Sequence, residues 1–205
     1  MVQSLGYLKE SASQTAGPYV HIGCTPNFSG IEGVFDTDLG SGPLYNDKTK
    51  GERITVRGFV YDGSGTPLRD ALIEIWQADA QGLYQSPSET RGLADPEFLG
   101  WARCPGDMAT GEFVFKTIKP GPVPFKDGRL MAPHITFWVV ARGINLGLQT
   151  RMYFPDEEDA NAVDPVLSRI ELKVRVATLI ASQDGNTYTF DIHLQGDKET
   201  IFFDI

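Results

Sequence analysis

Cysteine is scarce in this chain, and the two residues present do not form a framework. Cys24 and Cys104 lie far apart and fit no metal-binding or redox spacing. Two plain thiols in a reducing cytoplasm are therefore expected. Positive charge is also in deficit: 18 Lys and Arg face 27 Asp and Glu, for a net charge of −9. A nucleic-acid backbone or an anionic membrane would be repelled, so neither is expected as the main partner. A small anionic substrate is still admissible, because it needs only one local arginine. No stretch approaches the about 20 apolar residues of a membrane-spanning helix. The opening MVQSLGYLKE has no apolar segment of the kind found in signal peptides, so none is expected. There is no P-loop, dinucleotide-binding fingerprint, zinc-finger spacing or HExxH. Internal repeats and low-complexity runs are also missing.

What the chain does have is short β-prone runs separated by Gly and Pro. Hydrophobic residues make up 41% and charged residues 22%, as in ordinary folded domains, so pervasive disorder is not expected. Residues 1–10 read as a tail. Gly17-Pro18 marks a turn, after which Tyr19 to Ile22 can begin a strand. Cys24 to Gly51 is rich in Gly, Asn, Asp, Ser and Thr and reads as a long surface loop. RITVRGFVYD and ALIEIWQAD are strand candidates on either side of the turn GSGTPLRD. Gln81 to Cys104, carrying Tyr84 and Trp101, reads as irregular. Gly111 to Ile118 is a strand halted by Pro120, Pro122 and Pro124, and LQTRMYF is another short strand.

Acidic residues after Pro155, and Asp164-Pro165 as a possible cap with proline at the first helical position, point to one or two short helices between Asp156 and Ile170. LKVRVATLIAS fits either helix or strand. Asp184-Gly185 is a hairpin signal, and in TYTFDIHLQ the residues Tyr188, Phe190, Ile192 and Leu194 should face inward. The expected fold is mostly β, a β-sandwich core with long loops, an N-terminal arm and one or two short helices. The expected division is an arm and long loop over 1–52 and a sandwich over 53–205.

The stretch from Ala132 to Phe154 organises the rest. Side chains alternate across a strand, so Ile135, Phe137, Val139 and Ala141 share one wholly apolar face. His134, Thr136, Trp138, Val140 and Arg142 share the other. Polar groups on a core strand need partners, so this second face is the place to look for a site. A plainer account is a satisfied core histidine and a surface arginine. His193 and His21 occupy polar parity on their strands and read as solvent-facing. Tyr84 and His134 could together serve a hard trivalent cation. Val123 and Thr136, the other candidates near them, are not iron or zinc donors, so the metal site they suggest is incomplete.

Taken together, SQTAGPYVHIG, WQADAQGLY, IKPGPVPF, APHITFWVVARGIN, YFPDEEDANA and QGDKETIFFDI resemble the intradiol ring-cleavage dioxygenases, from Ser13 to Ile205. The combination is far more specific than any one motif. The resemblance implies a β-sandwich-like core and, in catalytic members, a non-haem Fe(III) held by two tyrosines and two histidines. Those four positions fall on Tyr84, Val123, His134 and Thr136, so two ligands are missing. The arginine that precedes the strand in catalytic members is absent from LMAPH as well. The resemblance therefore implies a non-iron α subunit, with Fe(III) held by a homologous β subunit and the active site at the α/β contact. It implies that Thr15, Gly17, Pro18 and Tyr19 line the pocket. Arg142 is the candidate cation for a substrate carboxylate, with an internal salt bridge as the other possibility. The expected ligands are a small dihydroxylated aromatic acid and O2. The arm and loop over 1–52 would pack on the partner, within a larger (αβ)n assembly. Two other readings stay open: a self-sufficient metalloenzyme with altered ligands, and a non-catalytic β-sandwich binding module.

Overall fold

The computed structural model describes residues 15–17, 19–145 and 147–204. The expected tail over residues 1–10 and Pro18 lie outside the described residues. The chain runs through α1 (Tyr19–Cys24), β1 (Arg53–Gly58), β2 (Val60–Tyr61), β3 (Leu72–Trp76), β4 (Trp101–Pro105) and β5 (Phe113–Ile118). It continues through β6 (Val123–Pro124), β7 (Leu130–Met131), β8 (His134–Val140), β9 (Leu148–Tyr153) and α2 (Glu158–Val163). After 3₁₀ segments at Leu167–Arg169 and Lys173–Leu179 come β10 (Ser182–Asp184), β11 (Thr187–Thr189) and β12 (Ile192–His193).

Two four-stranded sheets result, one ordered β10-β11-β1-β5 and the other β4-β3-β8-β9. Ribbons β12-β2 and β6-β7 flank them. Most pairings are antiparallel; β1 with β11 and β12 with β2 are parallel. The apolar face of β8 supplies one side of the core: Ile135, Phe137, Val139 and the following Ala141 are fully buried. Phe137 meets Phe190 at 5.2 Å and Phe113 at 6.0 Å between ring centroids. Val56, Phe115 and Tyr188 close the core from the other sheet. Burying each large apolar side chain contributes about 1.5–3 kcal/mol, and these aromatic contacts concentrate that gain on one strand. Gln77 ties the sheet ends together, accepting from the Thr117 hydroxyl at 2.7 Å and donating to the Ile118 carbonyl at 2.9 Å.

Several local expectations change. Tyr19–Ile22 forms a helical turn rather than a strand. A single turn lets His21 point inward, where its Nε2 donates to the Asp70 carbonyl at 3.0 Å, while Tyr19 stays outside. His21 is therefore buried, not solvent-facing. His193 is half-buried and stacks on Tyr61 at 4.9 Å. WARCP, expected to be irregular, is strand β4. Its Trp101 and Arg103 both donate to the Glu74 carboxylate, at 3.3 and 2.8 Å, and this cross-strand partner holds a segment of weak intrinsic pattern in the sheet. The long loop is anchored at its end by Leu44, which is buried in the core and donates its N–H to the Lys116 carbonyl. LKVRVATLIAS is largely 3₁₀. Among the described residues no helix is long and apolar enough to cross a membrane.

Asp164 links the helical segment to the sheet. Its Oδ1 accepts the N–H groups of Val166 and Leu167 at 2.7 and 2.8 Å, as a cap does, and its Oδ2 accepts that of Ala132 at 2.8 Å. The residue is fully buried. Asp164→Ala would strand three N–H donors and should cost about 3 kcal/mol or more of stability, at about 1–3 kcal/mol for each unsatisfied buried group. Chemical denaturation checks this, and an unchanged midpoint would contradict it.

Candidate functional site

The polar face of β8 carries two separate groupings, one at each end. Cross-strand partners project from the same face of a sheet. Trp76 on β3, Thr136 on β8 and Arg151 on β9 therefore form a row, because Trp76 pairs with Thr136 and Thr136 with Arg151. The neighbouring row on that face contains His134 and Tyr153, which also pair directly.

Over these rows lie the loops that carry Tyr84 and Val123. The loops cross where the chain is stripped to backbone. A Cβ on Gly82 would lie 2.1 Å from the Pro122 carbonyl oxygen, and one on Gly121 would lie 2.6 Å from that of Ala80. Gly82 also has a φ of 80°, which glycine adopts without strain. This crossing explains the glycines of GLY and GPVP and brings Tyr84 beside Val123. Tyr84 stacks on Trp76, with ring centroids 6.0 Å apart. Its N–H donates to Glu89, which is itself bound by Arg91. Val123 is buried with Ala78 and Met131.

His134 donates from Nδ1 to the Ala132 carbonyl at 2.8 Å, so that hydrogen bond goes to the backbone and not to Tyr84. Burial, with Arg151 adding to it, pulls the His134 pKa down to about 4, so the ring is neutral near pH 7. Burial raises the Tyr84 phenol above its ordinary value, and Arg151 and Arg91 only partly oppose this. The phenol therefore stays protonated. The four family ligand positions thus hold a neutral phenol, an isopropyl group, a neutral imidazole and an alcohol, with a guanidinium close by. This set does not fit Fe(III), which wants anionic oxygen donors beside imidazole. Among the described residues no group of three or more His, Cys, Asp or Glu is placed to hold a metal.

The other grouping lies beyond the far end of β8, whose seven residues span about 20 Å at about 3.3 Å per residue. Here the Thr15 hydroxyl donates to the Ala141 carbonyl at 3.4 Å and accepts the Gly143 N–H at 2.9 Å. It clasps the backbone on both sides of Arg142. Arg142 Nε is 2.9 Å from Asp70 Oδ2, and its side chain remains 72% exposed. Asp70 also accepts from His21 through its carbonyl, so α1 and Arg142 are tied to one residue. The Gly17 carbonyl accepts the Val20 N–H at 3.0 Å, closing a turn, and no atom of the described residues comes within 4 Å of the place a Gly17 Cβ would take. Tyr19 is 82% exposed. The structure therefore brings Thr15, Gly17, Tyr19 and Arg142 to one end of the strand and Tyr84, Val123, His134 and Thr136 to the other. Pro18 is not among the described residues. Sequence reasoning missed Asp70 and Arg151. Only the parity of Arg151 with Tyr153 pointed to the latter, and nothing in GSGTPLRD set Asp70 apart.

Comparison with known proteins is consistent across the chain. The family model described as "Dioxygenase" (Dioxygenase_C) matches residues 25–196. The chain is 45% identical to the protocatechuate 3,4-dioxygenase alpha chain of Pseudomonas putida, over 96% of this chain and 97% of that one. It is 36% identical to the protocatechuate 3,4-dioxygenase beta chain of Burkholderia cepacia, over 82% of this chain and 75% of that one. The crystal structure of 3-chlorocatechol 1,2-dioxygenase from Rhodococcus opacus 1CP superimposes with a TM-score of 0.55 at 23% identity, covering 80% of this chain and 67% of that one, a likeness of fold. Two packed sheets, the crossed glycine loops and near-complete similarity to an alpha chain together place this protein in the intradiol ring-cleavage dioxygenase family.

Proposed function

We propose that this chain is the non-iron α subunit of a protocatechuate 3,4-dioxygenase. It lines an active site formed at its contact with a homologous β subunit. The assembled enzyme would cleave protocatechuate between its hydroxyl-bearing carbons with O2, giving 3-carboxy-cis,cis-muconate. Fe(III) on the β subunit would supply the oxygen chemistry. The observation that carries the reading is the clasp of Thr15 around Arg142, far from the chain's own degenerate ligand set. A chain that served its own metal would place its substrate cation near that metal. This chain prepares one at the opposite end of the strand, on a surface with an exposed tyrosine.

Arg142 carries a permanent positive charge with a planar fork suited to a carboxylate. Among the described residues neither of its terminal nitrogens donates a hydrogen bond, so that edge is open to substrate. Its exposed pair with Asp70 is worth at most about 1 kcal/mol, which a substrate carboxylate in a closed site can exceed. Thr15 fixes the backbone beneath the guanidinium, Gly17 gives a narrow wall, and Tyr19 supplies an aromatic one. The segment over 1–52 packs on the β subunit; the exposed apolar side chains of Tyr19, Val34 and Leu39 support this. Several αβ units associate further. Two unpaired thiols, Cys24 and Cys104, suit a reducing cytoplasm. The donor set around His134 gives no support to a self-sufficient metalloenzyme.

In the assembled enzyme, Arg142→Ala should raise KM for protocatechuate about 10- to 100-fold, the loss of a charged hydrogen bond of about 1.5–3 kcal/mol, and leave iron content unchanged. Steady-state kinetics with elemental analysis checks this, and an unaltered KM would sink the role. Tyr84→Phe and His134→Ala should each leave the iron content and visible absorbance of the assembled enzyme as they were. Loss of iron from either variant would restore the self-sufficient reading.

A further inference from the structure

The two missing ligand positions, Val123 and Thr136, lie on different elements, and one side chain reaches both surroundings. Arg151 is the cross-strand partner of Thr136. Its Nη1 is 3.4 Å from Met131 Sδ, and Met131 is the cross-strand partner of Val123. The two retained positions feel the same group, since the Arg151 charge acts on Tyr84 and on His134 alike. Arg151 is thus the paired neighbour of Thr136, touches the residue paired with Val123, and lies within electrostatic reach of Tyr84 and His134. Arg151 is half-buried, its guanidinium lies over the Phe203 ring at 5.8 Å, and among the described residues it makes no ion pair within 4 Å.

We infer that the Arg151 guanidinium takes the place of the metal ion in this chain, as an internal cation at the centre of the degenerate ligand set. A buried carboxylate lies near the same cluster. Asp164 is fully buried, and Tyr153 feels both the Asp164 carboxylate and Arg151. The buried Tyr153 hydroxyl lies between the Asp164 carboxylate and the Arg151 guanidinium and links the two charges. Asp164 in turn grips Ala132, whose carbonyl orients His134. Removing the metal from such a site would leave a polar hollow beside buried donors. A long side chain carrying its own positive charge fills the hollow and repels any other cation from the two donors that remain. The absence of iron from this chain then has two causes, missing donors and a resident cation, and restoring the donors alone will not reverse it.

The inference rests on the α-subunit reading only for its baseline, the metal content of the unmodified αβ enzyme. The test restores donors with and without the charge, in the assembled enzyme, reading iron per αβ pair by elemental analysis and tyrosinate–Fe(III) absorbance. V123Y/T136H should hold no more iron than the unmodified enzyme. V123Y/T136H/R151Q should gain a second iron per pair and a matching rise in colour, and V123Y/T136H/R151K should not. If the variants carrying V123Y do not assemble, T136H against T136H/R151Q, titrated with Co2+, makes the same comparison with three donors. Full loading of the variant that keeps Arg151, or no gain on its neutralisation, would overturn the inference. Iron in this chain of the unmodified enzyme would instead overturn the α-subunit reading, and the two failures are distinguishable.

Discussion

The alternation of β8 constrains everything else in this molecule. One face of the strand must be dry, because Ile135, Phe137, Val139 and Ala141 carry the core between the sheets. Side-chain period then commits His134, Thr136 and Trp138 to the opposite face, and the turn after Val140 carries Arg142 beyond the strand's end. A one-residue slip in register would turn Phe137 out of the core and bring Thr136 and Trp138 into it. The scaffold that supports the fold is thus the same element that spaces the two functional groupings, and neither can drift without loss of the core.

Under the proposed function, that spacing separates an inherited site from a working one. At one end of the strand the family ligand positions have lost their donors, and the phenol and imidazole that remain are held neutral by burial. At the other end Thr15, Asp70 and His21 tie α1 and the residues around Arg142 into one unit by short polar contacts. In the first grouping His134 and Val123 are buried and Tyr84 and Thr136 half-buried. The second is exposed and open along the terminal edge of its guanidinium. This distribution supports the proposal that the chain completes a site on a homologous partner, and alpha and beta chains both occur among its relatives.

Much of this was legible in the sequence, for physical reasons that differ by element. The β8 faces, the Asp184-Gly185 hairpin and the inward Tyr188, Phe190 and Ile192 follow from local period and turn chemistry alone. The loss of two ligands was legible because the surrounding motifs fix where Val123 and Thr136 fall. What replaced them was not, because Arg151 reaches the site through cross-strand register, which no local pattern encodes. Asp70 and His21 were missed for a similar reason. Their roles arise where a helical turn docks on a distant loop, and that docking overrides the weak strand preference of YVHI. β4 was hidden because its partner Glu74 lies on another strand.

Iron content and visible absorbance of this chain, produced alone and then together with a homologous β subunit, distinguish a pocket-forming subunit from a metalloenzyme. The expected result is a colourless, iron-free chain that gives a coloured, active enzyme only with the partner. Iron and colour in the chain alone would contradict it, because a different ligand set would then complete the site that Val123, Thr136 and Arg151 are held here to close.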